Sequence, residues 1–161
     1  MESVTRTVAA ALLVLVACGC GTGDEVGMPL PDVAVTPLVG GSPILLSEIG
    51  GPAVINMWAT SCAPCRTEIP AFEAVHQSRG DTINFVGLNI GESAEQAAPF
   101  IEEVGATYDQ YLDELGYATT ALEASAMPTT IVVDANGNIA TRHIGQMTVA
   151  DLNSAIDDAL D

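Results

Sequence analysis

Trp58-Ala59-Thr60-Ser61-Cys62-Ala63-Pro64-Cys65-Arg66 is the stretch on which the fold turns. Before it, Ala53 to Trp58 is almost wholly apolar, with Asn56 its one polar member. A short apolar run without alternation reads as a strand covered on both faces, like the central strands of α/β sheets. A buried Asn there must be hydrogen-bonded. After it, Cys65, Ile69, Phe72 and Val75 recur at helical spacing, and the pattern ends near Arg79-Gly80. Thr60 or Ser61 is placed to cap that helix, and Pro70 inside it predicts a kink. The two cysteines therefore sit where a strand turns into a helix. A thiol at a helix N-terminus feels the positive end of the helix dipole and unpaired backbone N–H groups, both of which favour thiolate. Thiolate is the form that attacks disulfides, so this position points to redox chemistry at Cys62 and Cys65.

Downstream, Thr82 to Ile90 reads as a second apolar strand. Ser93 and Gln96 have the spacing of a capping box for a helix that ends near Val104-Gly105. Tyr108 to Asp113 suits a strand or a loop equally, and Tyr117 to Ser125 suits a short helix. Thr129 to Asp134 and Ile139 to Ile144 flank Asn136-Gly137, a strong hairpin signal. A terminal helix carries Leu152, Ile156 and Leu160 on one stripe. Upstream, Asp32 to Ser47 holds two short strands around Gly40-Gly41-Ser42-Pro43. The order β-β, β-α-β-α, short helix, β-β-α predicts an α/β fold. Its central mixed sheet is flanked by helices and extended by an extra N-terminal hairpin.

The chain has 161 residues and is 48% apolar, enough for one domain, expected over residues 32–161, with a real core. Aromatics make up only 4%, so that core must be built from aliphatic side chains. Four arginines and no lysine face 21 acidic residues, for a net charge of -17. Such a surface repels nucleic acid and gives no polybasic grip on anionic lipid.

Val8 to Ala17 is a run of ten apolar residues behind Arg6. That is too short to span a bilayer, which takes about 20, and it fits the h-region of a signal peptide over residues 1–17. Leu15-Val16-Ala17-Cys18 resembles the bacterial lipobox, in which the cysteine is lipidated and becomes the new N-terminus. Residues 18–31, rich in Gly and Pro, then read as a flexible tether. Four cysteines in an exported chain could form two structural disulfides. With lipid on Cys18, Cys62 and Cys65 pair and Cys20 is left over. The expected place is extracytoplasmic, on a membrane through lipid, with free secretion as the alternative.

Trp58 to Cys65, followed some sixty residues later by Met127-Pro128-Thr129-Thr130 entering a hairpin, resembles the thioredoxin fold. More narrowly, with Glu68-Ile69-Pro70 and Asn89-Ile90-Gly91-Glu92-Ser93, it is similar to the TlpA/ResA/DsbE group of exported thiol-disulfide oxidoreductases. The resemblance covers Asp32 to Leu160. It implies Cys62 as the attacking cysteine, Cys65 as the resolving one, and Pro128 as a cis proline facing them. It implies substrate contact at Trp58, Ala63, Pro64, Met127 and Pro128, with Met127 offering backbone to a peptide strand. It implies no cofactor. Partners are protein thiols and disulfides, including those of cytochrome c maturation or disulfide formation, and a membrane redox protein. Thioredoxin carries a buried Asp where Asn56 stands, and Glu92 is the candidate to replace it as proton acceptor.

Other readings fit less well. A Cys-x-x-Cys disulfide closes too small a loop to serve stability alone. Zinc wants four ligands, and no second pair or nearby His completes them. A copper carrier of the Sco kind wants one more residue between the cysteines, with His143 the sole distal candidate. A peroxidase of the peroxiredoxin kind wants Thr where Ala59 stands. The competing class is a copper metallochaperone-like or other tethered binding module.

Overall fold

The computed structural model describes residues 27–161, so Cys18, Cys20, the signal-peptide reading and the lipidation reading lie outside the described residues. In chain order the elements are β1 (Ala34–Pro37), β2 (Ile44–Leu45), a 3-10 turn (Leu46–Ile49), β3 (Ala53–Trp58), α1 (Ala63–Arg79), β4 (Asn84–Ile90), α2 (Ala94–Val104), β5 (Asp109–Asp113), α3 (Tyr117–Ala121), β6 (Thr129–Val133), β7 (Ile139–Ile144) and α4 (Val149–Leu160). The seven strands form one mixed sheet in the order β2-β1-β5-β4-β3-β6-β7. β3, β4 and β5 run parallel, whereas β1 and β6 flank them antiparallel, and β1–β2 and β6–β7 are the two hairpins. The expected α/β architecture with an N-terminal hairpin is present, and Tyr108 to Asp113 resolves into a strand beside β4.

Side chains alternate across β3 into two layers. Ala53, Ile55 and Met57 face a cluster with Ala118 of α3 and Leu122 just after it. Val54 and Trp58 face the opposite layer, where Phe72 and Val75 of α1 meet Leu152 and Ile156 of α4, and Phe100 of α2 closes the end. Every residue of β3 is buried, which accounts for its unbroken apolar composition. Asn56 is the exception in that layer, and its partner is the key to the site below.

Two local expectations change, at the helix cap and in the tether. The helix cap is Cys62, not Thr60 or Ser61: Cys62 is extended (φ -86°, ψ 98°) and its sulfur accepts the Cys65 N–H at 3.2 Å. α1 runs as one helix through Pro70, whose ring nitrogen cannot donate to the Arg66 carbonyl. Finally, the tether reading stretches to Pro31, yet Leu30 is buried, Gly27 N–H donates to the Ile139 carbonyl (2.7 Å), and Ile139 N–H donates to that of Met28 (2.7 Å). Residues 27–30 thus dock on the start of β7.

Gly51, just before β3, lies against the β6–β7 turn, where a Cβ would meet the Asp134 carbonyl oxygen. That oxygen belongs to backbone held by the hairpin and cannot swing away. Gly51→Ala is expected to lower stability by about 1–3 kcal/mol, the usual cost of overpacking, read from the urea midpoint at unchanged m-value. An unchanged midpoint would show that the turn yields.

Candidate active site

The dithiol sits at the carboxyl end of β3, where strand passes into helix. The structure has Cys62 and Cys65 joined as a disulfide, with Cα atoms 5.3 Å apart. Cys62 is 9% exposed and Cys65 0%. Ser61, Ala63 and Pro64 are exposed around them. An incoming sulfur therefore reaches Cys62 and not Cys65. Negative charge on the Cys62 sulfur faces the Cys65 N–H and the first turn of α1.

At the same end of the sheet, where Thr129 pairs with Met57 of β3, the Met127–Pro128 bond is cis. Pro128 is buried, while Met127 is 37% exposed. The Pro128 carbonyl accepts the Gly145 N–H at 2.9 Å, which ties this turn to the end of β7.

Trp58, placed by its sequence in the core or on the groove floor, is in the core. It is 0% exposed, its Nε1 donates to Gln110 Oε1 at 3.1 Å, and its ring stacks on Phe100 at 5.0 Å. The Arg66 guanidinium lies over the other ring of that stack, 4.5 Å from the Phe100 centroid, and pairs with Glu103 at 2.7 Å. Trp58 therefore supports the floor of the dithiol loop from within the core and presents no surface to a substrate.

Two glutamates lie near the pair, and they differ in kind. Glu92 accepts hydrogen bonds from Thr60 N–H (3.0 Å), Thr60 Oγ1 (2.5 Å) and Asn89 Nδ2 (2.7 Å). Burial pushes its carboxyl up, but these donors outweigh it and hold the group below its ordinary value. A carboxylate so held fastens the loop before Cys62 to the end of β4 and takes up protons poorly at neutral pH. Glu68 is the opposite case. It stands one helical turn after Cys65, on the same buried face, and is 0% exposed. Its Oε2 accepts from Asn56 Nδ2 (3.0 Å) and its Oε1 from Met147 N–H (2.8 Å). Burial pushes its carboxyl up to about 7, against the pull of those two hydrogen bonds. Glu68 escaped the sequence reading, although two signals pointed to it: an acid within the apolar stripe Cys65, Ile69, Phe72, and an Asn in an apolar strand that required a partner.

His76 packs in an aromatic group with Phe85 and Tyr108 (5.4 and 5.7 Å between centroids), and His143 lies half-buried on β7. Among the described residues, neither hydrogen-bonds to Cys62 or Cys65.

A family model described as Redoxin matches residues 25–157. The chain is 32% identical over 138 residues to the thiol:disulfide interchange protein HelX of Rhodobacter capsulatus, covering 83% of this chain and 76% of that one. It is 28% identical over 139 residues to the thiol-disulfide oxidoreductase ResA of Geobacillus thermodenitrificans, covering 84% and 79%. Among solved structures, a secreted thiol-disulfide isomerase from Corynebacterium glutamicum superposes with a TM-score of 0.69 at 29% identity, covering 81% of this chain and 83% of that one. A half-cystine that caps a helix and keeps a small exposed edge, its fully buried partner one turn on, and the match over most of the chain agree: the chain belongs to the Redoxin family, as a thiol-disulfide oxidoreductase bearing the Cys62–Cys65 pair.

Proposed function

We propose that this oxidoreductase exchanges disulfides with exported proteins at the outer side of a membrane, with Cys62 as the attacking sulfur and Glu68 as the proton acceptor of Cys65. The observation that carries the assignment is the Asn56–Glu68–Met147 hydrogen-bond set buried one turn below Cys65. When Cys62 is joined to a target, Cys65 must lose its proton to attack the mixed disulfide. A carboxyl that titrates near 7 can take that proton and give it up again at the working pH. Met127 and Pro128 contact the target backbone as an added strand does, and Ala63 and Pro64 form the opposite lip. Apocytochrome c is one partner of the right chemistry, since its Cys-x-x-Cys-His segment must be reduced before haem attachment. A membrane dithiol protein resets the pair.

Lipid on Cys18 is the anchor in this reading. Gly27 docks beside Ile139, which pairs with Val133, and Val133 pairs with Ala53 at the start of β3. The tether thus enters the domain at the end opposite the dithiol. Nine residues from Cys18 to Gly27 reach at most about 30 Å, so the dithiol is turned outward.

The test is alkylation of the reduced protein by iodoacetamide from pH 5 to 9. The parent is expected to show an inflection near 7 from Glu68 in addition to that of the thiol. Glu68→Gln removes that inflection and Glu92→Gln keeps it. The reverse pattern transfers the proton role to Glu92.

A further inference from the structure

The rim at the dithiol end carries two large apolar side chains that the fold leaves exposed. Leu115 is 75% exposed and Tyr117 65%. They stand on the turn between β5 and α3, and that turn is firmly held. The Gly116 N–H donates to the Asp113 carbonyl (3.1 Å), and Gly116 takes the left-handed conformation that closes the turn (φ 72°). The buried Asp113 carboxylate accepts from Ala118 N–H (3.1 Å), Thr119 N–H (2.7 Å) and Thr119 Oγ1 (2.7 Å). Turn positions favour Gly, Pro, Asn, Asp and Ser, so local structure gives no reason for Leu115. Beside the pair, a cleft of about 210 Å³ opens between Glu114, Leu115 and Tyr117 on one side and Ala34 and Thr36 of β1 on the other.

This turn is bonded to the dithiol loop by way of β4. The Asp113 carbonyl also accepts the Gly91 N–H (3.1 Å), and the next residue, Glu92, holds Thr60, two positions before Cys62. In register, Trp58 pairs with Asn89 and Asn89 with Leu112, so two strand spacings, about 10 Å, separate β3 from β5. Leu112 packs in the same apolar cluster as Cys62 and pairs with Thr36 at the cleft. Met127 and Pro128 lead into β6, on the other side of β3.

We propose that Leu115, Tyr117 and the cleft beside them recognise an apolar side chain of the target polypeptide, about three residues from the cysteine that Cys62 attacks. The inference rests on the reading that Cys62 exchanges with protein targets. The surface is continuous with the dithiol: a target sulfur at Cys62 has Met127 and Pro128 on one side and Leu115 and Tyr117 on the other. An extended chain covers about 10 Å in three residues. An aliphatic or aromatic side chain at that distance removes its own apolar surface, and that of Leu115 and Tyr117, from water. The turn is already ordered, so little conformational freedom is lost on binding. Among the described residues lining the cleft none is basic, and Glu114 at its lip disfavours an acidic residue there. No bond is made or broken at the cleft; it holds the target while sulfur chemistry proceeds at Cys62.

The test is oxidation of the reduced protein by disulfide-linked peptide dimers, quenched with acid and read by intact mass. Each peptide has a single cysteine in a Gly/Ser background, with leucine, serine or aspartate three residues to either side. The parent is expected to react with the leucine peptide about tenfold faster than with the serine peptide at low concentration, and slowest with the aspartate peptide. The preference lies in the half-saturation concentration, with the maximal rate unchanged, because the cleft binds the target equally before and during exchange. Combining Leu115→Ser with Tyr117→Ser brings the leucine and serine peptides to one rate. If that pair lowers the urea midpoint, Leu115→Ser alone, at the turn tip, decides. Equal rates for the two peptides in the parent, or a preference kept by the variant, overturn the cleft and leave the exchange reading intact. A parent oxidised by hydroxyethyl disulfide but by none of the peptides overturns the protein-target reading, and this inference with it.

Discussion

Cys65→Ser is expected to trap the protein as a stable mixed disulfide through Cys62, and Cys62→Ala to abolish exchange with protein disulfides. The asymmetry comes from exposure, 9% for Cys62 against 0% for Cys65. A target sulfur can approach only the first, which caps α1 and accepts the Cys65 N–H. Cys65 works from inside, where its sulfur is already placed against the bond to be broken. Well-oriented intramolecular attack has effective molarities of about 10⁵–10⁸ M. Replacing the Cys65 sulfur leaves release to slow attack by external thiol, so turnover should fall by at least about 10³-fold. Non-reducing electrophoresis and intact mass after incubation with a disulfide substrate read out the adduct. Adduct forming in Cys62→Ala through Cys65 overturns this order of attack.

The second large effect is on stability against pH. The Glu68 carboxyl rises from an ordinary 4.5 to about 7 on folding. Between those values the folded chain holds a proton that the unfolded chain has released, so stability falls as pH rises through this window. The fall is complete above 7 and amounts to about 3 kcal/mol at 1.36 kcal/mol for each pH unit. Glu92, Glu73, Asp134 and Asp151 are shifted downward and act below this window, in the opposite sense. Urea unfolding of the oxidised protein at pH 5, 6, 7 and 8 should therefore show a declining stability that Glu68→Gln flattens. Parallel curves for parent and variant exclude an ionisable Glu68 in the core. The cost at neutral pH is consistent with a group kept for reaction rather than for stability.

The chain's own order of residues was enough for the element pattern and for the reactive pair. The apolar run of β3, the helical stripe after it and Asn136-Gly137 each carry a local signal, because periodicity and turn chemistry depend only on neighbours. The cis proline at 128 and the division of the pair into attacking and resolving cysteine were legible through resemblance. The missed features share a cause. Glu68 looks like any acid on a helix until β3 packs Asn56 against it. Core or groove floor stay open for Trp58 until α2 places Phe100 on one side and β5 brings Gln110 to its nitrogen. Glu92 looks free to titrate until the loop at Thr60 closes on it across 32 positions of chain.

What the sequence by itself determined is thus the strand-turn-helix that presents two sulfurs, and the reaction two sulfurs can perform. Only the tertiary structure decided which carboxyl lies beneath them, because proton affinity follows burial and hydrogen-bond donors, and those are set by elements brought together from far along the chain. The cleft between Thr36 and Tyr117 belongs to the same category. Residues far apart in the chain meet at one rim only through the register of β1 and β5.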